Sequence, residues 1–208
     1  MPSKTQLRRV KDLGLIIAVF LAGTAVDVVT LSLTGFAVGG VGSIAATILA
    51  VILMYRRIAE RFTIRSLFTL LRITRPRFAT KWDIIIVIAL FTVTIICNLP
   101  SLLSRSLPID TGLLLYAASA AIVPPFFEEL ADRGFIQTAM ERLHYSPWVT
   151  VTISTLIFAI SHYPVNPEVV PIAIAMGTLF GLVTLRTRSV AIPFVVHGLW
   201  NLLATLGR

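Results

Sequence analysis

Apolar runs of membrane-spanning length recur along almost the whole chain, and no other feature restricts its folding so tightly. Bounded by polar, Gly or Pro positions, they fall at roughly 13–34, 36–55, 82–104, 111–143, 147–163, 168–186 and 189–207. A helix crosses a bilayer in roughly 20 residues, so the pattern implies an all-α fold: a polytopic membrane helical bundle of about seven transmembrane helices. Composition agrees, with 56% hydrophobic and 13% charged residues over a length of 208, against about 25% charged in a soluble domain. With no internal repeat, low-complexity tract or linker, residues 1–208 are expected to form a single integral membrane domain. The fourth run is too long for one simple span and contains Pro124-Pro125, where a kink or break is expected.

The basic start, Lys4, Arg8, Arg9 and Lys11, followed by an apolar stretch from Leu13, has the form of a signal peptide. The apolar run continues to Leu33, however, and reads as an uncleaved first span. The lone Cys97 has no partner for an intrachain disulfide.

A net charge of +8 would raise the question of nucleic acid in a soluble protein. Here the cations sort by loop instead, and no nucleic-acid partner is expected. With the N-terminus inside, the inner segments collect Lys4 to Lys11, then Arg56, Arg57, Arg61, Arg65, Arg72, Arg75, Arg77 and Lys81, then Arg142, Arg186 and Arg188. Only Arg105, Arg133 and Arg208 of the 18 Lys and Arg residues are left over, as the positive-inside rule requires. The N-terminus and the basic loops are therefore expected to be cytosolic, in a multi-pass protein. Between the second and third spans, Arg56 to Lys81 interleaves basic residues with Ile58, Phe62, Ile64, Leu67, Phe68 and Phe78, the mixture expected of a basic amphipathic segment, a helix lying on an anionic inner leaflet. Tyr55, Trp82 and Trp148, at the ends of spans, read as interfacial anchors.

An ionisable side chain at the centre of a span costs about 2.5–3.5 kcal/mol, so each one needs a reason. They occur as Asp27, as Glu128-Glu129-Leu130-Ala131-Asp132-Arg133, as His162, and as His197 with Asn201. Residues four apart share a helical face, so Glu129 can pair with Arg133, Phe158 can sit beside His162, and His197 with Asn201 makes one polar patch. Glu128 points about 100° away from Glu129. This suggests a division in which Arg133 holds Glu129 and Glu128 is left for chemistry. Measured from the inner polar ends, Glu128 and His162 lie roughly 22 Å deep, His197 roughly 12 Å and Asn201 roughly 18 Å, at 1.5 Å per residue. These depths allow one shared layer.

Such a cluster has the parts that peptide hydrolysis needs: a base for water, donors for an oxyanion and a return path for the proton. Glu128 with His162 would activate the water, and His197 with Asn201 would bind the oxyanion. No cofactor is required by this reading. A divalent metal such as zinc is the other possibility, with Glu128, His162 and His197 as ligands, although the chain lacks His-Glu-x-x-His.

The same residues carry a resemblance to the CAAX prenyl protease and bacteriocin-processing family (CPBP, also called Abi) of intramembrane endopeptidases. Glu128-Glu129-Leu130-Ala131-Asp132-Arg133 fits E-E-x-x-x-R, Phe158-Ala159-Ile160-Ser161-His162 fits F-x-x-x-H, and His197-Gly198-Leu199-Trp200-Asn201 fits H-x-x-x-N. The likeness spans about residues 113–203 and makes the whole a single membrane protease domain. It implies a helical membrane fold, a site opening toward the cytosol, and a glutamate-activated water. It also implies Glu128 as general base beside His162, His197 and Asn201 as oxyanion donors, and Glu129, Arg133 and Phe158 as supports. The expected partners are the bilayer and a peptide or protein substrate, lipidated or not.

Two other functions use the same residues. A proton-coupled transporter would employ the carboxylates, and a catalytically silent scaffold would need them only to join helices. Individually, Glu129 with Arg133 can be a structural ion pair, Asp27 can face a wet crevice, and Gly177 with Gly181 reads as a small-x-x-x-small packing face.

Overall fold

The computed structural model describes residues 64–105, 108–162 and 167–207, together with scattered helical positions between Lys11 and Leu49. Among these residues the fold is helical throughout. A short helix α1 (Ile64–Leu70) leads through an irregular segment to α2 (Lys81–Ser104) and α3 (Thr111–Glu129). The chain then continues without a break through a π-helical stretch, Leu130–Ile136, into α4 (Gln137–Arg142). After α5 (Pro147–His162) and a 3₁₀ turn at Pro167–Val169 come α6 (Val170–Thr187) and α7 (Ala191–Leu206).

Among the described residues, three helical stretches are long and apolar enough to cross a membrane: Lys81–Ser104, Thr111–Arg142 and Pro167–Thr187. Pro147–His162 and Ala191–Leu206 are apolar but shorter. Five of the seven expected spans thus correspond to helices, of which three have crossing length. The first two spans, with Asp27, Tyr55 and residues 56–63, lie outside the described residues apart from the scattered positions.

The structure corrects two expectations. The basic segment is not one amphipathic helix: α1 ends at Leu70, Arg72 has a left-handed backbone (φ 53°), and residues up to Thr80 are irregular. Pro76 disfavours helical geometry for Arg75 before it, and Arg72 is buried rather than turned to a lipid surface. The long fourth helix does not break at Pro124-Pro125 either. It runs through both prolines, and the departure from α geometry comes at Leu130, where the hydrogen bonds lengthen until Gln137 N–H closes on Asp132 O.

The ends of the elements are tied by polar contacts. Asp110 caps α3 by accepting from Leu113 N–H at 2.7 Å. Asp83 accepts from the N–H groups of Ala79 and Thr80 at 2.9 and 2.8 Å, and receives Arg186 of α6 at 2.5 Å. Nearby, Glu141 of α4 binds Arg72 and, at 2.7 Å through each oxygen, Arg188 beyond the end of α6. Arg77 N–H donates to Thr187 O and Val190 N–H to Arg72 O, which straps the 71–80 segment across the α6–α7 turn. The cations Arg72, Arg75, Arg77, Lys81, Arg142, Arg186 and Arg188 therefore gather at one end of the bundle. Trp82 and Trp148 are exposed in the first turns of α2 and α5. At the opposite end, the Arg105 guanidinium donates to Leu206 O at the close of α7.

Among the described residues, two larger apolar clusters and a smaller one of Phe158, Ala159 and Ala173 fill the interior. Leu90 of α2 packs with Met176, Phe180 and Val183 of α6 and with Ile192 and Val196 of α7. Ala131, Phe135, Ile136, Ala139 and Met140 pack with Ile157 of α5. Every residue from Leu130 to Ile136 is buried, so the acid-bearing helix is the one that the others surround. By contrast, α2 turns Ile84, Ile85, Ile88, Ile95, Ile96 and Leu103 outward, the face expected toward lipid.

Candidate active site

The π-helical stretch starts directly after the glutamate pair and contains Asp132 and Arg133. Such stretches are rare and concentrate at functional sites. Its position follows from close packing. A Cβ on Gly134 would lie 2.5 Å from Leu71 O, so the helix rests on the 71–80 strap at a residue that only glycine allows.

The two glutamates occupy different surroundings. Glu129 is 0% exposed; its Oε2 lies 3.4 Å from Arg133 Nε, within ion-pair range but without an aligned hydrogen bond. The Glu128 side chain keeps 30% exposure. Its Oε2 is shielded and has no hydrogen-bond partner among the described residues.

His197 joins the pair. Its Nδ1 is 2.9 Å from Glu129 Oε1, and its Nε2 is 3.6 Å from Glu128 Oε2. An ionised carboxylate only accepts, so with Glu129 charged the ring proton sits on Nδ1. Phe180 stacks against the ring at 5.7 Å and 29°, and Phe158 meets it edge-on at 5.7 Å.

Arg133 is fully buried and lies between aromatic faces, its guanidinium carbon 4.2 Å from the Phe158 ring centre and 5.6 Å from that of Phe180. Cations over such faces are stabilised, the more so when desolvated. Its nitrogens reach Glu129 Oε1 at 3.4 Å, Asp132 Oδ2 at 3.5 Å and Gly177 O at 3.4 Å. A Cβ at Gly177 would come within 3.2 Å of Arg133, so the expected small-residue face of α6 makes room for this guanidinium.

His162 lies at the end of α5 against Phe158, ring centres 4.5 Å apart. Its Nδ1 faces Phe158 O at 2.8 Å. A carbonyl only accepts, which places the proton on Nδ1 and the lone pair on Nε2. Among the described residues, no hydrogen bond or ion pair joins His162 to Glu128. The two are linked through Phe158 and His197. Asn201, one turn beyond His197, donates from Nδ2 to Ala120 O of α3 at 3.1 Å.

The structure thus brings Glu128, Glu129, Arg133, Phe158, His162 and His197 into one chain of contacts, with Asn201 beside it on α7. Residues 110–203 match the family model described as type II CAAX prenyl endopeptidase Rce1-like. The segment is similar to Rce1-like endopeptidases. It takes in α3 to α7 almost entirely and covers just under half of the chain. The matched segment is thus similar to a membrane-protease family, and it contains two of the three described helical stretches that are long and apolar enough to cross a membrane. No curated protein and no solved structure gives a significant match.

Within residues 110–203, Phe180, the Gly177 carbonyl and the Ala120 carbonyl are contacts that the motifs did not assign to the site. Gly177 had a signal in its spacing from Gly181; Phe180 and Ala120 had none. Among the described residues, no group of three or more His, Cys, Asp or Glu is arranged to hold a metal ion.

Proposed function

We propose that this chain is an intramembrane endopeptidase that hydrolyses a peptide bond of a membrane-associated protein or peptide with a water activated by Glu128 and His162. The observation that carries this reading is the line Glu129–His197–Glu128: a buried carboxylate fixes the imidazole through Nδ1 at 2.9 Å, and the imidazole turns Nε2 toward a partly open carboxylate.

In the proposed reaction the Glu128 carboxylate takes a proton from water while the His162 Nε2 lone pair accepts the other water proton and aims the oxygen. The hydroxide attacks the carbonyl carbon, the C=O π bond opens, and the oxyanion is bound by Asn201 and His197. Donation from His197 Nε2 requires a proton there as well, so the donor form is the imidazolium, with Glu129 as its counter-ion. On collapse the C–N bond breaks, and Glu128 returns the proton to the leaving amine.

The end carrying Arg72, Arg75, Arg77, Lys81, Arg142, Arg186 and Arg188 faces the cytosol in this reading, since inner loops collect cations. The family description points to substrates ending in a prenylated C-a-a-X sequence. The test is cleavage of a fluorogenic peptide of that kind, and of its unprenylated twin, by the purified protein in vesicles. Wild type is expected to cleave and Glu128→Gln to lose about 10³-fold or more, as for loss of a general base coupled to its nucleophile. Undiminished cleavage by Glu128→Gln would refute the proposal. Proton flux lost in that variant, without any peptidase activity in wild type, would assign the carboxylates to transport.

A further inference from the structure

Proline at position 124 has a consequence one turn earlier in α3. In a regular helix the N–H of residue 124 would close on the carbonyl of Ala120, but proline has no N–H. Asn201 Nδ2 donates to that carbonyl, at 3.1 Å, from the facing helix α7. Pro125 likewise withholds a donor from Ala121 O, and here α7 contributes Gly198: a Cβ on it would lie 2.5 Å from that oxygen. Two successive carbonyls without helical donors therefore receive two residues of the His197-Gly198-Leu199-Trp200-Asn201 segment. The backbone of α7 is seated against the place where α3 lacks its own hydrogen bonds.

We infer that Pro124 is a positioning residue: by withholding its N–H it leaves Ala120 O to hold the Asn201 amide in the orientation from which the second N–H can reach the reacting carbonyl. A carbonyl oxygen cannot donate, so the amide must present nitrogen and not Oδ1 to Ala120. One Nδ2 proton is then committed and the other is free. A terminal amide without such a tether rotates, and would present its acceptor oxygen to the oxyanion part of the time. The inference rests on the oxyanion reading of Asn201 given above.

In Pro124→Ala the new N–H competes for Ala120 O and releases the amide. The expected result is a fall in kcat of about tenfold with KM little changed, since the donor is displaced and not deleted. Asn201→Ala is expected to lose about 10²-fold or more, and Pro124→Ala in that background to cost less than about twofold, because nothing remains to be positioned. Full activity of Asn201→Ala would overturn the oxyanion reading itself. Impaired Asn201→Ala combined with a fully active Pro124→Ala, or with a proline effect that repeats undiminished in the double variant, would overturn the positioning inference alone.

A measurement on the unmutated protein decides the matter if Pro124→Ala does not fold. In the detergent-solubilised, isotope-labelled full chain, one Asn201 side-chain N–H is expected to show a scalar coupling across the hydrogen bond to the Ala120 carbonyl carbon and slow exchange with solvent. Rapid exchange of both Asn201 side-chain protons, with no coupling to the Ala120 carbonyl carbon, would overturn the inference.

Discussion

Glu129 Oε1 and His197 Nδ1 meet at 2.9 Å, and the same carboxylate faces Arg133 at 3.4 Å through each of its oxygens. One buried anion on α3 thus sits between a cation four residues along its own chain and an imidazole on α7.

This arrangement separates the two glutamates by experiment. Glu129→Ala leaves the buried Arg133 with Asp132 alone, at 3.5 Å, and is expected to destabilise the protein by about 3 kcal/mol, the lower end of the cost of breaking a buried pair from one side. Glu128→Gln, at a partly open position, is expected to leave the melting temperature nearly unchanged while removing activity. Thermal unfolding in detergent beside the cleavage assay checks both. Equal destabilisation by the two variants would contradict the division.

Glu141 anchors two arginines of unequal burial. Arg72 is buried, and desolvation lowers its pKa from the ordinary guanidinium value while the Glu141 carboxylate raises it. Glu141→Ala removes the favourable contribution and is expected to cost about 3 kcal/mol. Arg188→Ala, whose side chain is 56% exposed, should cost no more than about 1 kcal/mol. Chemical denaturation of the two variants provides the comparison.

Gly134→Ala drives a methyl group to within 2.5 Å of Leu71 O, a backbone atom that cannot rotate away. A loss of about 1–3 kcal/mol is expected, the range for overpacking. Gly112→Ala, whose Cβ would make an ordinary 3.4 Å contact with Asp110, serves as the control and should be near neutral.

Chelation addresses the metal question directly. The proposed reaction activates water with Glu128 and His162 alone, so cleavage is expected to persist in EDTA and in 1,10-phenanthroline, with no stoichiometric metal in the active protein. Activity lost to chelator and restored by zinc would show that a metal takes part.

Much of this was legible in the chain. Spacing of four placed Glu129 with Arg133 and Phe158 with His162, because an α-helix repeats every 3.6 residues. The apolar runs located α2 to α7 because lipid-facing and buried faces are both apolar, which leaves few polar interruptions. The same uniformity hid the rest. Nothing in Leu130-Ala131-Asp132-Arg133-Gly134-Phe135-Ile136 marks a π-helix, nor that Gly134 within it would pack directly on Leu71 O. Pro124-Pro125 signalled a lost pair of N–H donors correctly, but not that another helix would supply the partner and let α3 continue. The basic segment misled for a similar reason: Arg72 has the composition of a surface cation, and only Glu141 and Gln137, 69 and 65 residues away, keep it inside.

The glutamate-bearing helix is pinned at two places. Near one end Glu141 holds Arg72 and Arg188; near the other, Ala120 O holds Asn201. Glu128 lies between these anchors, so it cannot travel along the bundle axis toward an incoming chain without breaking one of them. In this reading the scissile bond is delivered to a carboxylate that is held in register with α7 and the α6–α7 turn, as work is brought to a fixed anvil.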